Sequence, residues 1–363
     1  MSSRLLASLL PRRKTPLRLA LIASVAVAAL VGCGGGGGDS GSAGTPPVIP
    51  GPPVDGPAWL GFGRDAQHSA NSAIATQDLN RISWSTPLDL APTYTAGGAL
   101  LVHYGSPVVT SHNTVVLPVK TGAAGGFRIE ARSGGNGGLI WSSQTDYQVP
   151  PHNWLPSYNV ALTTGNRLYF PGAGGKLLVK DDADAGPRAP RTVVFYGATA
   201  YFASSAAFDA SVFINTPLTV DPQGNVFFGF MVTAANPAGL VSGIARVDAN
   251  GNGIWASAAT AAADTAISKV QMNSAPALSI DAKTLYIAVN AGVVAGQVQG
   301  GYLLALDSTT LAVKSRVILL DPVTGTIARV SDDSTASPAV GPDGDVYFGV
   351  LESSFGTHNA RGS

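Results

Sequence analysis

Short apolar runs recur in pairs along this chain, and a polar turn of Asp, Asn, Gly or Lys separates the two runs of each pair. In the second run, aromatic or β-branched residues alternate with others, which turns one side of an extended strand toward a core. Asp, Asn and Gly tolerate the backbone angles of a tight reversal. The pattern therefore predicts β-hairpins, with four clear copies: "SPVVTSHNTVVLPV" from Ser106, "TPLTVDPQGNVFFGF" from Thr216, "APALSIDAKTLYIAV" from Ala275 and "SPAVGPDGDVYFGV" from Ser337.

The hairpins form a repeat of about sixty residues. A weaker copy, "NVALTTGNRLYFPG", lies between the first two clear copies. Taking one anchor per copy, Pro107, Val160, Pro217, Pro276 and Pro338 are 53, 57, 59 and 62 residues apart. A repeat of this length indicates an array of similar supersecondary units, here five of them.

Three of the five units contain a second hairpin. These hairpins are "FRIEARSGGNGGLIW" ending at Trp141, "GIARVDANGNGIW" ending at Trp255 and "GYLLALDSTTLAVKS" ending at Ser315. Two hairpins make a four-stranded antiparallel sheet, and a radial array of such sheets is a β-propeller. A β-sandwich would also contain hairpins but gives no reason for the repeat. We therefore predict an all-β protein, a β-propeller of about five four-stranded antiparallel blades.

The last blade is predicted to be incomplete. After "SPAVGPDGDVYFGV" the chain continues with "LESSFGTHNARGS", which contains no counterpart of "GYLLALD". Two interpretations follow, a partly open propeller or a truncated product.

The hairpin "SP-apolar-turn-VYFG" followed by "G-apolar-ALD-turn-W" resembles the repeat of quinoprotein-like (PQQ-like) β-propellers. The resemblance covers about Trp59 to Val350 and includes the segment with Trp59 and "GRDAQHSANS" that precedes the first hairpin. It implies a fold more than an activity. The dehydrogenases of this fold bind their quinone with a stacking Trp, a vicinal cysteine pair and a calcium ion. This chain has one cysteine, so we expect no cofactor, no metal and no catalytic residues, and we interpret Trp84, Trp141 and Trp255 as packing residues.

The N-terminus has the pattern of an export signal. Residues 1–32 hold five basic residues and no acid, followed by the apolar run "LALIASVAVAALVG". Leu30 to Cys33 resemble the lipobox of bacterial lipoproteins, which implies cleavage before Cys33 and lipidation of its sulfur. The alternative is an uncleaved membrane anchor. By the same resemblance, Gly34 after the cysteine favours the outer membrane of a Gram-negative envelope over retention at the inner membrane.

Composition divides the remainder into two parts. Residues 33–56 are rich in Gly and Pro, which is typical of a flexible tether, and residues 57–363 are predicted to form the propeller domain. The whole chain has 44 Gly and 25 Pro, and 12% of its residues are charged, which suits a turn-rich β protein. Without residues 1–32 the net charge is −5, so the body lacks the basic face that nucleic-acid binding needs.

Few polar clusters suggest chemistry. Asp248, Asn250 and Asn252 match half of a calcium loop, but a hairpin turn explains them better. The run of Asp181, Asp182 and Asp184 is typical of a turn that is exposed to solvent. One loop, "SSQTDYQVPPHNWLPSY", concentrates aromatic residues that suit contact with a sugar or a peptide, but such residues also plug propeller channels. These candidate ligand-facing residues are Tyr147, His152, Trp154 and Tyr158.

Together these features predict a lipid-anchored envelope protein whose propeller serves as a protein-interaction or binding platform. Its expected partners are the membrane, through lipid on Cys33, and an envelope protein or a glycan. The alternatives are an envelope enzyme related to quinoprotein dehydrogenases and a glycan-binding module.

Overall fold

The computed structural model describes residues 56–72, 74, 78, 80–88, 93–94, 100–101, 105–121, 126–150, 158–291, 300–330, 332 and 336–350. The chain divides into two compact units, Met1–Val48 and Ile49–Ser363, and all described residues belong to the second. The predicted signal peptide, Cys33, His152 and Trp154 lie outside the described residues, as does all of the tether before residue 56. None of the helices in the described part of the chain is long and apolar enough to cross a membrane.

Most of the regular structure is β-strand. Two short strands, β1 (Thr93–Tyr94) and β2 (Leu100–Leu101), pair with each other ahead of the repeat. Blade 1 is an antiparallel sheet of β3 (Val108–Val109), β4 (Thr114–Lys120), β5 (Phe127–Ser133) and β6 (Leu139–Thr145). Blade 2 consists of β7 (Ala161–Leu162), β8 (Leu168–Pro171), β9 (Lys176–Lys180) and β10 (Arg191–Val194).

Blades 3 and 4 have the same plan with a divided first strand. In blade 3, β11 (Val212–Ile214) and β12 (Thr219–Val220) both pair with β13 (Val226–Val232), which continues to β14 (Gly243–Val247) and β15 (Gly253–Ser257). In blade 4, β16 (Lys269–Val270) and β17 (Ala277–Leu278) both pair with β18 (Thr284–Asn290), which continues to β19 (Gly301–Asp307) and β20 (Val313–Ile318). The fifth unit, within the described residues, is the hairpin of β21 (Ala339–Val340) and β22 (Val346–Tyr347).

Short helices lie within blade 2 and between the blades. A 3-10 turn (Ala173–Gly175) joins β8 to β9, α1 (Ala198–Ala203) and α2 (Ser205–Asp209) follow β10, and α3 (Ala258–Ala262) follows β15. Apolar faces of blades 1, 2 and 3 form one core, and the opposite face of blade 3 forms a second core with blade 4. The predicted all-β propeller of four-stranded antiparallel blades is confirmed, and within the described residues the fifth unit consists of one hairpin.

All five predicted hairpins close with the same backbone hydrogen bond. The backbone N–H that donates lies three residues after the anchor, or four in blade 3. The distances from donor nitrogen to acceptor oxygen are 2.8 to 3.0 Å, and the donor and acceptor residues are Thr110–Thr114, Thr163–Arg167, Asp221–Asn225, Ser279–Thr284 and Gly341–Asp345. Polar turn residues support the reversal. For example, the Asp221 carboxylate accepts hydrogen bonds from the backbone N–H of Gln223 and of Asn225.

One segment, residues 56–70, contacts the first hairpin of every unit, and we call it the inner segment. Trp59 exchanges backbone hydrogen bonds with Val109 of blade 1 at 2.8 and 2.9 Å. The Leu60 carbonyl accepts from Leu162 N–H of blade 2 at 2.7 Å. A methyl group on Gly61 would lie 3.8 Å from the Leu218 carbonyl oxygen of blade 3.

The C-terminal half of the inner segment reaches the last two units. The Ala66 carbonyl accepts from Leu278 N–H of blade 4 at 2.7 Å, and the Gln67 carbonyl accepts from Val340 N–H of the fifth hairpin at 2.9 Å. Nine consecutive residues, Trp59 to Gln67, therefore contact the five hairpins in chain order. This order of contacts places the first strand of each blade next to the inner segment and the later strands farther from it. That arrangement is the radial geometry of a propeller.

His68 fixes the end of the inner segment. Its Nδ1 donates to the Pro338 carbonyl oxygen at 2.6 Å, its ring meets the edge of Phe62, and only 9% of the residue is exposed. Burial lowers the pKa of His68 below its ordinary 6.5, and the bond to Pro338 and the charge of Asp65 oppose this shift without reversing it.

We expect the free energy of unfolding to depend on pH through the protonation of His68. As pH falls below 6.5, the unfolded chain takes up a proton that the folded state resists, so the free energy of unfolding decreases until the lowered folded pKa is reached. Urea unfolding at pH 7.5 and pH 5.5 measures this loss. The control His68→Asn does not titrate, tolerates the positive φ of 58° and offers an amide donor in place of Nδ1. An equal loss in the two proteins would contradict the assignment.

Candidate functional site

Two of the candidate ligand-facing aromatics lie in the core between blades 1, 2 and 3. Tyr158 is 1% exposed and stacks on Phe127 with ring centroids 4.4 Å apart, and Tyr147, 4% exposed, lies 4.8 Å from Tyr158. The hydroxyl of Tyr147 donates to the Ile214 carbonyl at 2.7 Å, and that of Tyr158 donates to the Pro171 carbonyl at 2.6 Å. The structure therefore corrects the ligand-facing interpretation of these two rings, because packing consumes both faces and both hydroxyls.

The acidic turn of blade 2 forms hydrogen bonds that link blade 2 to blade 1. Asp184 accepts hydrogen bonds from the Thr110 hydroxyl at 2.8 Å, His112 Nδ1 at 2.9 Å and Asn166 Nδ2 at 2.8 Å. Burial raises the pKa of Asp184, but these donors outweigh it and the net pKa is lowered. Asp248 similarly binds the N–H groups of its own turn. Within the described residues, no group of three His, Cys, Asp or Glu side chains is arranged for a metal.

The tryptophans also have structural partners. Trp141 on β6 is 3% exposed and donates from Nε1 to the Ala183 carbonyl of blade 2 at 2.8 Å, while Lys180 covers its ring. Trp84 donates to the Gly134 carbonyl at 2.9 Å. These contacts agree with the packing interpretation of both side chains.

A groove of about 510 Å³ lies between β6 of blade 1 and the outer strands of blade 2, and we call it the blade 1–2 groove. The side chains that give it chemical character are Gln144, Asp146, Lys176, Thr192, Tyr201 and Phe202. Asp146 follows β6, Lys176 begins β9, and Tyr201 and Phe202 belong to α1. The groove thus joins residues from four separate stretches of sequence, since Thr192 lies on β10.

A buried ammonium group is the centre of the groove. The Lys176 side chain is 6% exposed, and its Nζ donates to Asp146 Oδ2 at 2.5 Å and to the Tyr201 hydroxyl at 2.6 Å. The Tyr201 hydroxyl donates onward to Asp209 Oδ1 at 3.0 Å. Burial alone would lower the pKa of Lys176, but the bonds to Asp146 and Tyr201 raise it, so the amine stays charged.

The turn "PGAGGK" positions Lys176 beneath Asp146. Gly174 and Gly175 have φ of 67° and 74°, a region that glycine adopts without strain. A methyl group on Gly174 would lie 2.6 Å from Asp209 Oδ1. The N–H of Ala173 in the same turn donates to Asp146 Oδ1 at 3.0 Å, so the carboxylate is held from two sides.

The groove presents an acid and an aromatic ring to a ligand. The Asp146 side chain is 55% exposed, whereas its partner Lys176 is almost fully covered. Phe202 is 65% exposed at the rim. Because the accessible charge is a carboxylate and the accessible apolar surface is a ring, the groove suits a basic side chain whose aliphatic stem packs on Phe202.

The residues present do not fit the quinone cofactor that the repeat implies. The sequence has one cysteine, so a vicinal pair cannot form. Trp141 and Trp84 have both been placed in structural contacts. The acids of the described blades bind hydrogen-bond donors of their own turns or neighbouring blades, and no trio of them is arranged for calcium.

No protein-family model and no curated protein matches the chain. Several solved structures are similar to part of the chain. The quinohemoprotein alcohol dehydrogenase of Comamonas testosteroni has 14% identity and a TM-score of 0.45 over 81% of this chain and 46% of its own. A second such enzyme, ADHIIG from Pseudomonas putida HK5, has 16% identity and a TM-score of 0.47 over 81% and 44%. BamB from Moraxella catarrhalis has 15% identity and a TM-score of 0.36 over 72% and 66%. The chain spans less than half the length of the two dehydrogenases, and all three similarities concern the fold alone.

Proposed function

We propose that this chain is a lipid-anchored envelope protein whose β-propeller is a protein-interaction platform, with the blade 1–2 groove as a partner site. The basic and apolar segment that ends at Cys33 supports export and lipidation, and by the resemblance to bacterial lipoproteins Gly34 favours outer-membrane delivery. The groove carries the interaction part of the proposal. Its exposed carboxylate and exposed ring lie on a buried, fully bonded polar base, which gives a rigid surface for a partner with a basic side chain.

Affinity capture from detergent-solubilised envelopes tests the groove. The full chain should recover one protein in about equal amount, and Phe202→Ala should reduce that recovery about tenfold, because a truncated aromatic anchor costs more than 1 kcal/mol. The control Ile280→Ala removes another side chain of similar exposure on blade 4 and should recover as much as the wild type. Higher ionic strength should weaken binding through Asp146.

The same preparations test the anchor. Cys33→Ala should move the protein from the membrane fraction to the soluble fraction, because the lipid has no attachment site. Equal recovery of the partner by the wild type and by Phe202→Ala would reject the groove. Continued membrane attachment of Cys33→Ala would reject lipidation, and the two results are independent.

A second candidate function is glycan binding by the same groove. The exposed ring of Phe202 lies beside side chains that both donate and accept hydrogen bonds, such as Gln144 and Thr192. Aromatic faces beside such groups suit the mixed apolar and hydroxyl surface of a sugar. Retention of the wild type but not of Phe202→Ala on a polysaccharide column would favour this reading over a protein partner.

A further inference from the structure

Lys269 and Asn290 face each other inside blade 4. They are directly opposite residues of the antiparallel strands β16 and β18, so their side chains lie on the same side of the sheet. Lys269 is 9% exposed and Asn290 is fully buried. The Nζ atom of Lys269 donates to Oδ1 of Asn290 at 3.2 Å. An amine therefore lies beside a carboxamide where little water reaches either group.

The carboxylate of Asp332 contacts both groups. Each of its oxygens lies 2.5 Å from Lys269 Nζ, and Oδ1 also accepts from Nδ2 of Asn290 at 2.9 Å. The backbone N–H of Met272 donates to the same carboxylate at 3.2 Å. Asp332 thus connects the nitrogen of the amine to the nitrogen of the amide.

Hydrogen bonds fix the orientation of the Asn290 amide. Its Nδ2 donates to two acceptors, the Asp332 carboxylate and the Val330 carbonyl, each at 2.9 Å, while its Oδ1 accepts from Lys269. The amide carbon Cγ is bonded to Oδ1. Because a C=O bond is about 1.2 Å long, Cγ lies about 3.4 to 4.4 Å from Nζ, close to the separation of about 3 to 3.5 Å from which reacting atoms form a bond.

The fold of a blade does not require these polar groups. In blade 3 the pair at the equivalent position of β11 and β13 is Phe213 and Met231, and both are buried. The positions correspond because the residue two places after Phe213 or Lys269 donates its backbone N–H to the opposite strand, at 3.1 and 2.9 Å. An amine, an amide and an acid buried in place of an apolar pair cost desolvation free energy, so their presence points to a chemical role.

Asp332 is in the protonation state that a general base needs. Burial raises the pKa of Asp332, but the charge of Lys269 and the hydrogen bonds from Lys269 and Asn290 outweigh it, so the net pKa is lowered. At neutral pH the group is therefore a carboxylate that can take a proton from the ammonium of Lys269.

We propose that Lys269 and Asn290 form a covalent isopeptide bond, with Asp332 moving the protons. Asp332 takes a proton from the Lys269 ammonium, and the freed electron pair of Nζ forms a bond to Cγ of Asn290. This proton and a second one from Nζ pass through Asp332 to Nδ2 as the Cγ–Nδ2 bond breaks. The products are an amide between the two side chains and an ammonium ion, and Asp332 ends as the carboxylate that it was.

The bond fixes the first part of the divided first strand of blade 4 to the centre of its sheet. It closes a covalent loop from residue 269 to residue 290, which limits the freedom of the unfolded chain as a disulfide does. Burial of the site keeps water from the new amide. The proposal depends neither on the blade 1–2 groove nor on the lipid anchor.

Tryptic digestion of the purified full chain tests the bond. Trypsin cleaves after Lys and Arg, so an unlinked chain gives separate peptides 247–269, 270–283 and 284–314. The bond removes the cleavage after Lys269 and joins peptide 247–283 to the third peptide. The mass of the linked species should be lower than the sum of its two parts by one molecule of ammonia. Mass spectrometry with fragmentation measures this mass and locates the linked residues.

Two variants separate the roles of amine and acid. Lys269→Arg keeps a cation for Asp332 but lacks the nucleophilic amine, so it should give no linked peptide. Asp332→Asn cannot take up the proton and should slow the linkage at least about a hundredfold. The control Lys180→Arg changes another buried lysine, whose Nζ donates to the Gly186 carbonyl, and should link as the wild type does.

The wild type alone can overturn the proposal, whether or not a variant folds. Complete cleavage after Lys269 with no linked peptide would do so. Loss of ammonia from an unlinked peptide would mark a succinimide at an Asn–Gly pair such as Asn250 and Gly251, and it would count against the bond in the same way. An equal rate of linkage in the wild type and in Asp332→Asn would refute the proton transfer by the carboxylate.

Discussion

Deletion of residues 56–70 is expected to abolish the cooperative unfolding of the propeller near neutral pH or to lower its free energy of unfolding by several kcal/mol. The inner segment satisfies the backbone N–H groups of Val109, Leu162, Leu278 and Val340. At about 0.5 to 1.5 kcal/mol each, these four bonds are worth roughly 2 to 6 kcal/mol, against a total stability of about 5 to 15 kcal/mol for a domain. Urea titration followed by tryptophan fluorescence measures the loss.

A deletion of equal length provides the control. Removal of residues 34–48 shortens the Gly/Pro tether predicted from the sequence by the same fifteen residues and should leave the midpoint of unfolding unchanged. A synthetic peptide of residues 56–70 should restore part of the stability of the first deletion, because the contacts are mainly backbone bonds to preformed strands. A deletion protein as stable as the wild type would show that the blades do not depend on the segment.

Substitution Tyr158→Ala is expected to destabilise the protein by about 3 to 5 kcal/mol, the usual cost of removing a large buried ring. Tyr158→Phe keeps the stack on Phe127 and loses the hydrogen bond to the Pro171 carbonyl, which still accepts from the Thr145 hydroxyl, so it should cost about 0.5 to 1.5 kcal/mol. Chemical denaturation ranks the three proteins. If Tyr158→Ala unfolded like the wild type, the ring would have no structural role and the ligand-facing interpretation would return.

The hairpins could be predicted from the sequence because the residues that define each hairpin lie close together along the chain. Each anchor is followed within two residues by the first strand of its hairpin, and the turn residues that identified the copies form the closing bonds. The second hairpin of blade 2 escaped prediction. Its strand β9, "KLLVK", is buried at every position, so it lacks the alternation that reveals a half-exposed strand.

Sequence patterns could not predict which residues far apart in the chain come into contact. The groove combines Asp146, Lys176 and Phe202, which are separated by 30 and 26 residues, and no periodicity connects them. The turn "PGAGGK" was the one local signal, since a run of small residues before Lys often marks a close backbone approach. Tyr147 and Tyr158 were assigned to a ligand face because aromatics near prolines look alike whether they pack inward or outward. Only the fold distinguishes the two.

The position of the inner segment also decides how the protein bears mechanical load. Among the described residues, a pull on the chain from its N-terminal side first meets the bond that the N–H of Gly56 donates to the Ser111 carbonyl of blade 1. From there the force passes along bonds to blades 1, 2 and 4 and to the fifth hairpin, and these bonds share it. Bonds that share a load must break together, whereas an outer strand pulled from its edge would unzip one bond at a time. The propeller is thus held from within, and a pull on its N-terminal side is distributed over blades 1, 2 and 4 and the fifth hairpin.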